Sequence, residues 1–324
     1  MLDANARALL DMVYRVGAPK FHQLDEDQAR RSMVKLQNAF QPDAPAVASV
    51  LEVPIHRPGR GQGTLLARAY RPIGSAPSQA LPVLLFLHGG GWCIGSVDTH
   101  DVMCRELCNV AGVLVFSVDY RLAPEDPFPA GVEDAALALR WLQGNAHEIG
   151  GIGEQLAIGG DSAGGNLALV TTLTAIEQGW PVPRLQCLIY PCVDIYARTA
   201  SRDRYAQGYF LDAESLTWFF ERYLPQPGDA LDWRASPALA WDLLERLPPL
   251  CLVAAECDPL VDEGRQLAEH LRVAGIEVER HEYPGLVHGF ITLGKLFPQA
   301  TLAISAMAAA IGRHLHFPGP ADTI

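Results

Sequence analysis

The sequence predicts an α/β fold in which helices cover both faces of one mostly parallel β-sheet. Short, continuous apolar runs indicate strands that are buried on both faces, as in parallel sheets. Helix-length segments with apolar residues on one face separate these runs. This alternation of strand and helix predicts right-handed crossovers in a doubly wound sheet. The five apolar runs are residues 81–87, 113–118, 156–158, 185–190 and 250–255.

Three further strands are expected at the two edges of the sheet, which brings the total to about eight. Residues 49–56 (SVLEVPIH) and 63–72 (GTLLARAYRP) flank the turn-forming stretch RPGRGQG at 57–63, so they predict an antiparallel hairpin. Residues 276–283 (IEVERHEY) alternate between apolar and polar side chains and are suited to the other edge. The length of 324 residues is ample for one large core.

Two segments interrupt the alternation and are interpreted as additions that cover one end of the sheet. Residues 1–45 have apolar residues at helical spacing, and Asp25 with Gln28 has the pattern of a helix-capping pair. Residues 195–235 are rich in Tyr, Phe and Trp, and their helix is expected to begin after Asp212. We therefore divide the chain into N-terminal helices at 1–45, a core at 46–194 and 236–324, and an insert at 195–235.

The composition excludes several classes of function. A net charge of −12 is unsuited to binding nucleic acids or anionic membranes, because both require concentrated Lys and Arg. Asp3 and Asp11 predict that the N-terminal segment is not a signal peptide, and no apolar run is long enough for stable membrane insertion. The seven cysteines include no Cys-x-x-Cys pair, so we expect no metal site or disulfide, and a cytoplasmic protein.

The stretch Gly160-Asp161-Ser162-Ala163-Gly164 has the pattern of a catalytic serine at a sharp turn between a strand and a helix. Small residues two positions before and after Ser162 let the strand and the helix approach closely. The turn presents the serine at the carboxyl end of the sheet. The alternative is a glycine-rich turn that binds phosphate. The stretch lacks the spacing and the lysine of a P-loop, and Asp161 would repel an anion.

The motif HGGGW at 88–92 directly follows a predicted strand and indicates an oxyanion hole. Successive glycines allow backbone N–H groups to turn into a cavity without obstruction by Cβ atoms. HGGG-type loops supply such donors in lipases and esterases. We assign this role to the N–H groups of Gly90 and Gly91, together with that of Ala163 at the start of the following helix. The alternative is a glycine loop that only makes a tight turn.

A serine nucleophile requires a base, and His288 is the best candidate among the ten histidines. It lies in the stretch YPGLVHGF, between the last strand and the final helix, at the same end of the sheet as Ser162. His88 is expected to brace the glycine loop, and His281 lies inside a strand. The remaining candidates considered lie in the additions, loops, tail or on a helix surface: His22, His56, His147, His270, His314 and His316.

Asp258 is the predicted acid that orients His288. It follows the strand before the last one, and the chain order Ser, Asp, His is the order found in α/β folds with this serine turn. Asp194 is the alternative, because it also follows a buried strand at this end of the sheet. Asp119 and Asp262 are better explained as structural residues, one at a strand end and the other in the first turn of a helix.

In these motifs the chain resembles the hormone-sensitive lipase-like branch of the α/β-hydrolase serine esterases. The resemblance spans nearly all of residues 80–290, and its motifs occur in the family's order: HGGGW, DYRLAPEDPFPA, GDSAGGN, YPCVD, AECDPLVDEG and HGF. It implies an α/β-hydrolase fold with a helical cap formed by the N-terminal segment and the insert. It also implies a carboxylesterase with the triad Ser162, Asp258 and His288, acting on short- and medium-chain acyl esters without a metal or other cofactor.

Two other functional classes remain open at this point. Receptors that resemble these esterases have lost the catalytic histidine, so the presence of His288 argues for an enzyme. An arylformamidase or a deacetylase would use the same triad, and only substrate assays separate them from a carboxylesterase. The expected partner is a small-molecule ester, and a homodimer paired through the strand at 276–283 is left open.

Aromatic side chains are expected to form the substrate pocket over Ser162. The two added segments are expected to contribute its roof, through Phe21, Tyr209, Phe210 and Trp218. The alternative is that these aromatic residues form a small core of the cap itself. The full set of expected substrate contacts, walls included, is Trp92, Asp161, Tyr190, Phe210 and Phe290.

Overall fold

The computed structural model describes residues 1–58, 63–226 and 228–315, and it has the predicted α/β architecture. Within these ranges, eight strands form one sheet in the order β1-β2-β4-β3-β5-β6-β7-β8. The pairs β1–β2 and β2–β4 are antiparallel, and all other neighbours are parallel. The strands are β1 (Ser49–His56), β2 (Thr64–Arg71), β3 (Leu81–Leu87), β4 (Leu114–Asp119), β5 (Gly151–Asp161), β6 (Leu185–Ile189), β7 (Leu250–Cys257) and β8 (Val278–Val287).

Helices cover both faces of this sheet, because each central strand is apolar on both sides. In β3, Val83, Leu85 and Leu87 pack in one core layer with residues of the fourth, fifth and ninth helices. Leu84 and Phe86 pack in the other layer with residues of the third and tenth helices. The helices are α1 (Ala4–Arg15), α2 (Glu26–Phe40), α3 (Asp101–Ala111), α4 (Ala130–Asn145), α5 (Ala163–Glu177), α6 (Ala200–Arg204), α7 (Ala213–Tyr223), α8 (Trp241–Leu244), α9 (Val261–Val273) and α10 (Gln299–Leu315).

The eight predicted strands are confirmed, with differences at their ends. The run at 156–158 is the centre of the longer strand β5, which begins at Gly151. The edge strand predicted at 276–283 continues to Val287, because its pairing with β7 resumes beyond a register shift between Ala255 and Cys257. Most of the turn expected at 57–63 lies outside the described residues, as do His316 and the rest of 316–324.

The two segments that break the strand–helix alternation are helical and contact each other. Asp25 caps α2 in the predicted pairing with Gln28, and Asp212 caps α7 through a 2.8 Å hydrogen bond from the Ser215 N–H. An ion pair joins α2 to α7, with 2.7 Å between Glu26 Oε1 and Arg222 Nε. No helix in the described ranges has both the length and the apolarity needed to span a membrane.

Candidate active site

Ser162 occupies a strained turn between β5 and α5, as the sequence pattern predicts. Its backbone has φ +55° and ψ −116°, a region that residues with side chains seldom adopt. A 2.8 Å hydrogen bond from its N–H to the carbonyl of Ile189 at the end of β6 holds the turn in place. Gly164 permits this geometry, because a Cβ atom there would collide with the carbonyl oxygens of Leu87 and His88.

The structure brings Ser162, His288 and Asp258 together from three separate loops at the carboxyl end of the sheet. The distance from Ser162 Oγ to His288 Nε2 is 2.9 Å, and that from His288 Nδ1 to Asp258 Oδ2 is 2.6 Å. An ionised carboxylate can only accept hydrogen bonds, so Nδ1 carries the proton and Nε2 is free to accept the serine proton. This chain of contacts is the arrangement that activates a serine nucleophile.

Asp258 is fully buried just after β7, and the backbone holds its second carboxylate oxygen. The N–H of Leu260 donates a 2.9 Å hydrogen bond to Oδ1, which leaves Oδ2 directed at His288. Asp194, the alternative acid, has a different role: its Oδ1 accepts the N–H of Tyr196 at 2.9 Å within its own loop. Of the two carboxylates, only that of Asp258 is hydrogen-bonded to His288.

The glycine loop after β3 lies beside Ser162 and offers backbone donors. Gly90 and Gly91 have φ values of +123° and +56°, which favour glycine, and both line the same cavity as Ser162 and Ala163. Among the described residues, the N–H groups of Gly90, Gly91 and Ala163 have no acceptor within the protein. Three unpaired donors beside a nucleophilic oxygen can bind an oxyanion.

Comparison with known proteins agrees with this geometry. Residues 84–292 match the family described as the α/β-hydrolase fold, and this range contains the glycine loop and all three residues of the hydrogen-bonded chain. The chain belongs to this family. The resemblance to its hormone-sensitive lipase-like branch is thereby confirmed.

Relatives and solved structures resemble this α/β hydrolase over more than three quarters of its length. Ethyl acetate hydrolase of Pseudomonas putida is 40% identical over 297 residues, covering 91% of this chain and 92% of that protein. The carboxylic ester hydrolase LipN of Mycobacterium tuberculosis is 42% identical, covering 78% and 68%. An ester hydrolase from the metagenome of Lake Arreo, solved with a derivative of bipyridine phosphonate, has a TM-score of 0.92 and 40% identity, covering 97% and 99%.

Asp161 links the serine turn of the hydrolase to the glycine loop, and a histidine not considered in the sequence analysis assists it. The carboxylate accepts a 2.7 Å hydrogen bond from the Gly89 N–H and lies 3.1 Å from Nε2 of the buried His100. Burial alone would raise the pKa of Asp161, but His100 and the Gly89 hydrogen bond lower it overall. No motif contains His100, which follows the glycine loop at the start of α3, so only the folded chain identifies it.

Both added segments of the hydrolase line the cavity over Ser162, which encloses about 840 Å³ including the open space at its mouth. Phe21 contributes from the N-terminal segment and Phe210 and Phe219 from the insert. The rings of Phe21 and Phe219 are in contact, with centroids 5.3 Å apart. The lining is mainly apolar, so the cavity is suited to hydrocarbon parts of a ligand.

The expected substrate contacts lie in two different places. Trp92, Asp161 and Phe210 line the cavity. Tyr190 and Phe290 are not among its described lining residues. The Tyr190 ring instead packs 4.4 Å from that of His288, and the Phe290 ring lies 5.9 Å from that of Tyr190. Of the other predicted roof residues, Tyr209 and Trp218 are also absent from the described lining, and Trp218 packs edge-on against Phe219.

A buried ion pair that no sequence motif predicted fixes the loop after β6. Glu263 accepts the N–H groups of Val193 and Asp194 at 2.6 and 2.9 Å and pairs with Arg202 of the insert at 2.8 Å. Burial raises the pKa of Glu263 despite these partners. Glu263, one of the acidic residues after Asp258, therefore holds the insert to the core. The signal in the sequence was their density in AECDPLVDEG.

Proposed function

We propose that this α/β hydrolase is a serine carboxylesterase that hydrolyses short- and medium-chain carboxylic esters through an acyl-enzyme intermediate. The observation that carries the proposal is the continuous hydrogen-bonded chain from Ser162 through His288 to Asp258. The names of the relatives support the ester class, since ethyl acetate hydrolase and LipN are both described as ester hydrolases. These three residues are accordingly assigned as the catalytic triad.

Acylation begins when Ser162 Oγ attacks the carbonyl carbon of the ester and its proton passes to Nε2 of His288. Asp258 stabilises the imidazolium that forms, because its carboxylate already accepts the Nδ1 proton. The tetrahedral intermediate then collapses and breaks the bond between the acyl carbon and the alcohol oxygen. The alcohol leaves with the proton from Nε2, and the acyl group remains on the serine.

Deacylation repeats these steps with water as the nucleophile. Neutral His288 accepts a proton from water at Nε2 while the water oxygen attacks the acyl carbon. Collapse of the second tetrahedral intermediate releases the carboxylic acid and returns the proton to Ser162 Oγ. The reaction consumes one water molecule and needs no group other than those of the chain and the substrate.

The oxyanion formed in each step is assigned to the backbone N–H groups of Gly90, Gly91 and Ala163. All three lack an acceptor within the described protein and line the cavity that contains Ser162 Oγ. Donors fixed by the backbone need no reorganisation as charge develops, and each typically contributes about 3–4 kcal/mol to transition-state stabilisation.

The division of the chain into a core and a two-part cap is part of the same proposal. Residues 1–45 and 195–235 form the cap over the core segments 46–194 and 236–324. Support comes from the lining contributed by both segments and from the contacts between them, which include the Phe21–Phe219 ring pair. An apolar roof of this kind limits the depth available to an acyl chain, which favours short and medium chains over long ones.

The proposal includes a homodimer and a cytoplasmic location. β8 is the outermost strand at its edge of the described sheet, so a second copy can pair with it to form a homodimer. Light scattering across a range of protein concentrations measures whether the mass in solution doubles. All seven cysteines are free and buried, which suits the reducing cytoplasm.

A panel of p-nitrophenyl esters of graded chain length tests the proposed function. The wild-type protein should hydrolyse them with an optimum at short to medium length, and Ser162→Ala should abolish turnover. The variant removes only one hydroxyl, so its melting temperature checks that the fold is retained. Hydrolysis retained by Ser162→Ala would show that another residue is the nucleophile. Absence of hydrolysis by the wild type would favour an amide or formamide substrate for the same triad.

A further inference from the structure

Gln37 is a buried polar residue that the catalytic cycle does not use. It lies on α2, is only 3% exposed and lines the cavity that contains Ser162. Among the described residues, neither its amide nitrogen nor its amide oxygen has a hydrogen-bond partner in the protein. Leaving a buried amide without partners is unfavourable, so a group that is unpaired on both sides needs an explanation.

Gln37 lies on a face of α2 that is otherwise apolar. Ala29, Met33 and Leu36 lie on the same face of α2, where spacings of three and four residues direct side chains toward the core. Met33 and Leu36 also line the cavity. An apolar residue would therefore satisfy packing at position 37, and the amide is the exception on an otherwise hydrophobic face.

The helix that carries Gln37 is held by side-chain hydrogen bonds near its start and just beyond its end. Arg30 donates a 3.0 Å hydrogen bond to the Cys93 carbonyl, and the Gln41 side chain donates a 2.6 Å hydrogen bond to the Thr99 carbonyl. Both acceptors belong to the chain that follows the glycine loop. Gln37 is thus held near the oxyanion donors by the backbone of the site itself, which is the rigid support that a binding residue requires.

Most other polar side chains that line the cavity already have partners. His288 is bonded to Ser162, Asp161 accepts from Gly89, and Thr292 donates to the carbonyl of Gly289. The indole N–H of Trp92 is also unpaired, but it offers a donor alone, and its ring is stacked on another aromatic ring. Gln37 differs because it lines this apolar cavity with a side chain whose donor and acceptor both lack a partner among the described residues.

We infer that Gln37 is a specificity-determining residue that binds a second polar group of the substrate. The class of substrate is an ester with a carbonyl, hydroxyl or amide group separated from the scissile bond by a short hydrocarbon spacer. The hydrocarbon contacts the apolar lining, and the polar group pairs with the amide of Gln37. This inference rests on the proposed esterase function. It adds that plain alkyl esters lack a polar group that the cavity binds.

The test compares matched esters with and without the second polar group in wild type and Gln37→Met. Methionine keeps the unbranched shape of glutamine and removes both hydrogen-bonding atoms. One arm places the group in the acid, with p-nitrophenyl levulinate against p-nitrophenyl valerate and the next longer homologue of each. The other arm places it in the alcohol, with ethylene glycol monobutyrate against propyl butyrate and butanediol monobutyrate against pentyl butyrate.

For each protein, kcat/KM for the polar ester is divided by kcat/KM for its alkyl match. The quantity compared is this ratio in the wild type divided by the same ratio in Gln37→Met. This double ratio cancels differences in intrinsic reactivity within each pair. We expect it to be about tenfold or more in at least one arm, because an unpaired buried amide discriminates against a ligand that leaves it unsatisfied. The arm that responds shows whether the acid or the alcohol carries the polar group.

Gln186 supplies the matched control. It is fully buried in β6, both ends of its amide are unpaired among the described residues, and it is not among the residues that line the cavity. Gln186→Met should give a double ratio near one. Thermal melting checks the folding of each variant, and Gln37→Leu repeats the measurement with a second apolar side chain.

A double ratio near one for both Gln37 variants in both arms would overturn the inference, since the amide would then have only a structural or water-binding role. That result is distinguishable from failure of the proposed function. If the esterase function is wrong, the wild type hydrolyses none of the esters. If only the role of Gln37 is wrong, the wild type hydrolyses polar and alkyl esters and Gln37→Met does not change their ratio.

Discussion

The carboxylate of Asp161 accepts a 2.7 Å hydrogen bond from the backbone N–H of Gly89. The residue before the proposed nucleophile is therefore bonded to the residue before the proposed oxyanion donors. The strand β5 ends at Asp161 and β3 ends two residues before Gly89, so this bond ties two neighbouring strand ends together. We expect the spacing between the proposed nucleophile and the proposed oxyanion donors to depend on it.

Asp161→Asn should reduce kcat about tenfold and change KM by less than about twofold, because small displacements of fixed donors affect the transition state more than substrate binding. The substitution keeps the shape of the side chain and removes the charge that interacts with His100. Steady-state kinetics with p-nitrophenyl butyrate measures both constants. Asp119→Asn, at the end of β4, is the control and should leave kcat unchanged. An unchanged kcat in Asp161→Asn would mean that the negative charge of Asp161, and with it the interaction with His100, has no role in catalysis.

Asp258→Asn should lower kcat by about ten-thousand-fold, because an asparagine amide favours the wrong tautomer of the histidine. Asp194→Asn removes the rival carboxylate, whose Oδ1 accepts only the Tyr196 N–H within its loop, and should lower kcat by less than about threefold. The comparison is made with one ester at saturating concentration. The reverse order of the two effects would identify Asp194 as the triad acid.

Phe21→Ala should move the optimum of the ester panel toward longer acyl chains. Phe21 lines the cavity and contacts Phe219, so its removal extends the apolar space over Ser162. Each additional buried methylene contributes about 0.8 kcal/mol, or roughly a fourfold gain in kcat/KM. Tyr14→Ala removes an exposed aromatic side chain from α1 and is the control. Identical chain-length profiles for wild type and Phe21→Ala would show that this ring does not limit the pocket.

Acid should destabilise the protein in part through His88. Burial, with a contribution from nearby His100, lowers the pKa of His88 from 6.5 to about 3. The unfolded chain therefore binds a proton as the pH falls below 6.5, whereas the folded chain does not until the pH approaches about 3. The free energy of unfolding accordingly falls as the pH is lowered through this window, by at most about 1.4 kcal/mol per pH unit from this one group.

Urea denaturation at several pH values between these limits measures the effect. His88→Gln cannot titrate, so its free energy of unfolding should depend less steeply on pH than that of the wild type, whatever its absolute stability. His56→Gln removes an exposed histidine from β1 and should keep the wild-type slope. Equal slopes for all three proteins would show that His88 is not responsible for the acid sensitivity.

The sheet could be predicted from the sequence because its central strands are buried on both sides. Continuous apolar runs such as 81–87 have few explanations other than a strand between two helical layers. The contacts of Ser162 with His288 and of His288 with Asp258 could also be anticipated, because strand ends at one edge of a parallel sheet are neighbours in space. Local pattern and topology were sufficient for these features.

Other features depend on contacts between residues that are distant in sequence. His100 directly precedes α3 and Gln37 lies on α2, and neither belongs to a distinctive motif, so only the folded chain shows that one contacts Asp161 and the other lines the cavity. Tyr190 and Phe290 were expected to contact the substrate, but they are not among the described residues that line the cavity. The Tyr190 ring packs against that of His288 and the Phe290 ring near that of Tyr190, an arrangement that depends on backbone angles such as the positive φ of Tyr190.

The cavity is formed by two kinds of chain segment with different constraints. Ser162, Gly90 and Gly91 sit where a Cβ atom or a backbone shift would cause collisions or strain, so their surroundings tolerate little change. The opposite side is formed by side chains of helices, such as Phe21 and Gln37, whose replacement leaves the sheet untouched. Single substitutions in the helices can therefore alter which ester is accepted while the backbone geometry that breaks the ester bond stays as it is.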